Sequence, residues 1–141
     1  IELKKETITI EDCADIYSII MKYLDKKNIL ISSFEHSLLP YFKKKNIKIG
    51  MLVDENHLMP GLLKFIKSVI SISPQFMNLP IEMFKRCGAA KSSIFLALLK
   101  LSGKKIVFWT VNEIEDYKKA LKYAYAIITD DVEPFIKLRR E

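Results

Sequence analysis

The stretch KKIVFWTVNEIEDYKKALKYAYAIITDD, residues 104–131, sets an alternation that the rest of the chain repeats. Residues 105–111 are a β-branched and aromatic run that contains the chain's single tryptophan, Trp109, and they predict a strand. Asn112, followed three residues later by Glu115, predicts a capped helix start, with the helix running to about Tyr123. Ala126 to Thr129 is apolar and β-branched again, a second strand. A strand, a helix and a strand with short connections form a crossover unit, which makes the two strands parallel.

Upstream the pattern recurs. Strands are predicted at 1–4, 29–34, 48–53 and 69–73. Thr9, Ile10, Glu11 and Asp12 give a capping-box-like start to a helix whose apolar positions Cys13, Ile16, Ile20 and Leu24 recur at spacings of three and four. A short helix is expected at 37–45 and a helical stretch near 58–67. From Pro74 the pattern loosens: 80–86 reads as one helical piece and 91–101 as another, closed by Gly103 as a C-terminal stop, and Val132 to Arg140 reads as a closing helix. Repeated strand–helix units fit either an open doubly wound sheet or a closed (β/α)8 barrel. Because a complete barrel needs about 250 residues, the length of 141 on its own favours the open sheet.

Composition narrows the function classes. Half of the residues are hydrophobic and 28% are charged, a globular profile rather than a disordered one. Lys100 interrupts the strongest apolar run, Ile94 to Leu99, far short of the roughly 20 residues a membrane helix needs, so no membrane span is expected. No signal peptide or linker is read either. Cys13 and Cys87 have neither disulfide-framework nor zinc spacing, which places the chain in a reducing cytoplasm. The net charge of +6 is scattered, and its densest run, Lys43 to Lys45 with Lys48, falls at a helix end, where cations suit the helix dipole. No aromatic residues interleave with it as stacking platforms, so a nucleic-acid partner is not expected.

Four segments, in order, carry a resemblance. IELK at 1–4, ILISSFEHSLL at 29–39, IGMLVD at 49–54, and IVFWTVNEIEDYKKAL with AIITDD at 106–131 together resemble the glycerophosphodiester phosphodiesterase family. That family's final units end one strand on W-T-V-N, open the next helix with acids and continue into I-I-T-D. The resemblance implies a (β/α)8 TIM-barrel type of α/β fold, with residues 1–141 a single domain carrying roughly the C-terminal five to six β/α units. The family's His-Arg-Gly, E-x-D and His-Asp motifs do not occur in this sequence, so the catalytic histidines are expected outside it. Two departures stand out: Asp131, Val132, Glu133 and Pro134 follow the I-T-D, and the stretch 75–101 is longer and more hydrophobic than the family pattern.

The resemblance also assigns roles. Glu2 becomes a ligand of a divalent metal, Mg²⁺ or Ca²⁺, both of which favour carboxylate oxygen. Lys4, two residues on and so on the same face, approaches the phosphate. Trp109, sharing its side with Val107 and Val111 while Phe108 and Thr110 pack outward, forms an apolar wall against a glycerol backbone, as does Phe34. Without the resemblance, Glu2 and Lys4 read as an exposed ion pair at a frayed terminus and Trp109 as core. Ser33 reads as a support for a neighbouring loop, His36 and His57 as solvent-facing caps or helix-start contacts, and Asp54 and Asp130 as loop-orienting carboxylates. Glu113, Glu115 and Asp116 read as favourable first-turn charges. The function implied is metal-dependent hydrolysis of glycerophosphodiesters to glycerol 3-phosphate and an alcohol. Its alternatives are a non-catalytic half-barrel that binds a phosphorylated ligand or a protein partner, and an open-sheet binding protein. A partial barrel leaves sheet edges open, which implies a homo-oligomer or pairing with the missing barrel half.

Overall fold

Short apolar runs alternating with amphipathic ones produce a parallel α/β arrangement in the computed structural model, which describes residues 1–4, 7–54, 57 and 62–138. The elements are β1 (Glu2–Leu3), α1 (Cys13–Tyr23), β2 (Leu30–Ser33), α2 (Leu39–Lys44), β3 (Lys48–Leu52), α3 (Leu62–Ile72), β4 (Phe76–Pro80), α4 (Met83–Arg86), α5 (Ala89–Leu101), β5 (Lys105–Trp109), α6 (Ile114–Leu121), β6 (Ala126–Ile127) and α7 (Glu133–Leu138). The six strands form a sheet in chain order, the order expected of successive βα units in a barrel wall. The chain divides into two compact units, Ile1–Met77 and Asn78–Glu141.

In the first unit, β1, β2 and β3 pair in parallel, with Glu2 opposite Ser32 and Ser32 opposite Gly50. Paired residues in a parallel ladder share a face, so Glu2, Ser32 and Gly50 lie on one side, and Leu3, Ser33 and Met51 on the other. The second side is sealed: Leu3, Ile31, Ser33, Ile49 and Met51 are buried, as are Leu39 and Phe42 of α2. Burying a side chain of that size stabilises by about 1.5–3 kcal/mol, and this face anchors the unit. Helix α1 begins as its sequence indicates, with the Asp12 carboxylate accepting from both the backbone N–H and the hydroxyl of Thr9 at 2.8 Å. These bonds hold the Asp12 carboxyl below its ordinary range. The basic run does cap a helix, though not only its own: Lys43 Nζ donates to the Ile72 carbonyl at the end of α3 (2.8 Å).

The expected strand at 69–73 is overturned, because those residues end helix α3. Phe65 and Val69, four apart, are buried while Ile66 and Ile70 are exposed, a helical period that outweighs the β-branched composition. Ser73 then adopts a left-handed φ of 47° and Pro74 follows, ending the helix. The strand lies seven residues later, where Phe76, Met77, Asn78 and Leu79 are all buried, a continuous burial typical of parallel sheets. The helical stretch expected from Leu58 starts outside the described residues, as do the last residues of the closing helix, Arg139 and Arg140.

In the second unit, β5 and β6 pair in parallel through Val107 opposite Ala126 and Phe108 opposite Ile127. Phe108 is fully buried, its ring 5.6 Å from that of Phe84 in α4. Trp109, the next residue, therefore projects from the opposite side of β5. Helix α5 stops as expected: Gly103, at φ 75°, donates to the Lys100 carbonyl while Lys104 donates to that of Leu99 (2.9 and 3.0 Å), the paired bonds of a Schellman end. Of the first-turn acids of α6, Asp116 is buried and does more than favour the dipole. Lys119 Nζ lies 2.8 Å and Lys85 Nζ 3.5 Å from its carboxylate, and the Lys119 bond above all holds that carboxyl below its ordinary range.

Candidate functional site

In a parallel βα arrangement, reactive groups gather where strands end and loops begin. Glu2 in β1 is exposed on the face shared with Ser32 and Gly50, and Lys4 follows two residues later, also exposed. The Ser32 face thus presents a carboxylate at the start of the chain, with an ammonium next along it.

Behind the ends of β2 and β3 the structure gathers residues that the sequence reading left separate. His36, in the turn after β2, donates from Nε2 to the carbonyl of Leu52 at the end of β3 (2.7 Å). His57, in the loop after β3, donates from Nε2 back to the carbonyl of Phe34 after β2 (2.9 Å). Each loop is thereby fastened to the neighbouring strand end, and the two rings stack with centroids 4.3 Å apart. His57 Nδ1 lies 2.6 Å from Asp54 Oδ1, and the Phe34 ring stacks 6.1 Å away. Both histidines are half-buried, which corrects the expectation of solvent-facing caps: adjacent parallel strand ends bring them within reach of carbonyls that need donors. Burial holds the His36 imidazole below its ordinary value; the Leu52 carbonyl opposes that shift and the neighbouring His57 adds to it. Ser33 is fully buried, donating to the Leu3 carbonyl (2.6 Å) and accepting from the Glu35 N–H (3.0 Å), which is the loop-supporting role its sequence position implies.

Beyond β5 and β6 a second rim is built differently. Trp109 is half-buried at the end of β5. Asn112 does not cap α6, whose N-terminal residue Glu113 makes no side-chain cap. Instead, Asn112 Nδ2 donates to Asp130 Oδ2 (2.8 Å), and its Oδ1 accepts from the Asp130 N–H (3.0 Å) and the Thr129 hydroxyl (3.1 Å). The amide bonds more groups across the two loops than it could at a helix end, which explains the loss of the cap. Asp130 thus holds the loop-orienting position assigned to it. Missed altogether was Asn78, 4% exposed within β4, whose Oδ1 has no hydrogen-bond partner among the described residues. A lone amide inside an apolar run is the sequence signal that could have found it.

A Mg²⁺ or Ca²⁺ ion takes about six to eight oxygen ligands. Among the described residues, no three His, Cys, Asp or Glu side chains gather where they could hold a metal ion. Glu2 therefore fits such a centre as a single exposed oxygen donor, not as a complete site.

Solved structures give the fold its context. A glycerophosphodiester phosphodiesterase from Thermotoga maritima is 29% identical, with a TM-score of 0.78 over 98% of this chain and 57% of that one. A phosphodiesterase from Oleispira antarctica, crystallised with its product sn-glycerol-3-phosphate, is 18% identical with a TM-score of 0.75, over 99% of this chain and 54% of that one. A glycerophosphodiester phosphodiesterase from Parabacteroides distasonis is 15% identical with a TM-score of 0.72, over 99% and 57%. The two more distant structures speak for the fold alone, a parallel α/β arrangement that matches part of a TIM barrel. The Thermotoga structure supports the glycerophosphodiester phosphodiesterase family for this chain, which spans 57% of that protein's length. No known family's sequence profile matches the chain, and neither does any curated protein.

Proposed function

We propose that this chain is the C-terminal part of a metal-dependent glycerophosphodiester phosphodiesterase, a single barrel domain that hydrolyses glycerophosphodiesters to glycerol 3-phosphate and an alcohol. The observation that carries the reading is the 29% identity to the Thermotoga enzyme, maintained over 98% of the chain. Glu2 would hold one position of a Mg²⁺ or Ca²⁺ ion, which when bound supplies charge neutralisation at a phosphodiester oxygen.

The chain's own groups would do the rest by position. Lys4, on the face of Glu2, would set an ammonium near the phosphate. Phe34 and Trp109 would each offer an apolar surface to the glycerol backbone and exclude water there. The general acid and base would come from histidines outside this sequence, since His36 and His57 are committed to carbonyls. The exposed free thiol of Cys87 suits a reducing cytoplasm.

The test is metal-dependent release of glycerol 3-phosphate from glycerophosphocholine and glycerophosphoethanolamine. It is run on this chain and on the longest version its coding sequence allows. Activity in the longer version alone is the expected result; activity in neither would return the chain to a half-barrel that binds a phosphorylated ligand or a protein partner.

A further inference from the structure

Helix α5 is apolar on more than one side, yet the fold covers only one of them. Leu96 and Leu99 are buried, whereas Ile94, Leu98 and Leu101 are 64, 60 and 84% exposed. Their spacing of four and then three aligns them as a single outward stripe, about 10 Å long at 1.5 Å per residue. At its far end α5 meets the end of α6, where Lys100 Nζ donates to the Lys122 carbonyl (3.3 Å). Leu121, next to Lys122, is 54% exposed, so the apolar surface extends beside this junction.

The charge on α5 itself has one sign. From Met83 to Asn112 the sequence has six basic residues and no acidic one. Lys91 and Lys100 flank the stripe on α5, and Lys119 and Lys122 of α6 line a cavity of about 240 Å³ together with Ala89 and Ser93 of α5, which brings their helix alongside. Of the carboxylates of α6, Asp116 is buried against Lys119 and Lys85, and Glu115 is exposed and acts on Lys119 from one turn away.

We propose that this face is a peripheral attachment surface for an anionic lipid bilayer. An exposed apolar stripe bordered by lysines is the arrangement that seats a helix in the headgroup boundary, with leucines in the acyl edge and ammonium groups on lipid phosphates. A second copy of the chain is the poorer occupant. In a two-fold contact of α5 with itself, Lys91 and Lys100 would meet their own copies with no acid on the helix to pair them. No described helix is long and apolar enough to cross a membrane, so the attachment is to the surface. It does not depend on the catalytic reading.

Vesicle co-sedimentation of this chain tests the idea, comparing phosphatidylcholine vesicles with vesicles that also contain phosphatidylglycerol. Binding is expected on the anionic vesicles at low salt, at least tenfold stronger than on phosphatidylcholine alone and weakened by high salt. The double variant Leu98→Glu, Leu101→Glu should lose at least tenfold. Lys91→Gln and Lys100→Gln should each lose roughly fivefold, following the strength of a lysine near an anionic surface. All four positions are exposed, so circular dichroism should find each variant folded. Failure of the chain to bind anionic vesicles, or equal binding by the leucine variant, would overturn the proposal. So would a dimer in sedimentation that the leucine variant makes monomeric, because a second copy would then own the face.

Discussion

The loops behind β2 and β3 and those behind β5 and β6 solve the same problem with different chemistry. Both must tie together neighbouring connections that no sheet ladder reaches. The first does so with two half-buried imidazoles, each donating to a carbonyl across the gap and stacked on the other. The second uses the Asn112 amide, exposed and bonded to Thr129 and Asp130. Imidazoles titrate near neutrality and amides do not. The first rim therefore holds a titrating crosslink, His36, in a half-buried place, while the crosslink of the second is an exposed amide that does not itself titrate. The groups proposed to meet a substrate differ as well: Glu2 and Lys4 bring charge and Phe34 an apolar ring to the first unit, whereas Trp109 brings apolar surface alone to the second.

This contrast can be broken by substitution. Glu2→Gln, in the longest version of the protein, should have the largest effect, lowering metal affinity and the rate of glycerol 3-phosphate release together, by about a hundredfold in rate. An unchanged rate at limiting metal would remove Glu2 from the metal centre. His36→Ala should cost about 2 kcal/mol in urea unfolding, because it leaves the Leu52 carbonyl without its donor and removes a ring from the stack. The same residue sets a pH signature. With its folded-state value depressed, the unfolded chain binds more protons below about pH 6.5. Stability should be complete above that point and decline as pH falls towards the depressed value. His36 faces Leu52, His57, Glu35 and Asp54, so the decline should be smaller in His36→Ala, and identical profiles would refute this source.

Two smaller effects test the other rim. Trp109→Ala, also in the longest version of the protein, should raise KM roughly tenfold with kcat nearly unchanged, as expected on losing an apolar contact made equally in ground and transition states. A loss of stability with unaltered KM would return Trp109 to the core. Asn112→Ala should cost about 1 kcal/mol, since its three bonds lie in water, and the cost should not vary between pH 6 and pH 8. A pH-dependent cost there would erase the contrast between the rims.

Local sequence determined a good deal. Period-two and period-3.6 patterns located β1, β2, β3, β5 and β6, the start of α1 at Thr9 and Asp12, and the end of α5 at Gly103, because each depends on neighbours within a few residues. Ordered motifs from IELK to IITDD also pointed to the family supported by the Thermotoga structure. Where burial could be met in two ways, the sequence was ambiguous. Val69 to Ile72 are good strand formers, but the core took Phe65 and Val69 from one side of a helix and placed the strand at Phe76–Pro80. Polar partners were the least legible. Asn112 suits a helix cap and a loop crosslink equally well, and His36 and His57 stand 21 positions apart in the chain. Only the parallel register of β2 and β3 brings those two loops together, and only then does each imidazole find the carbonyl that fixes it.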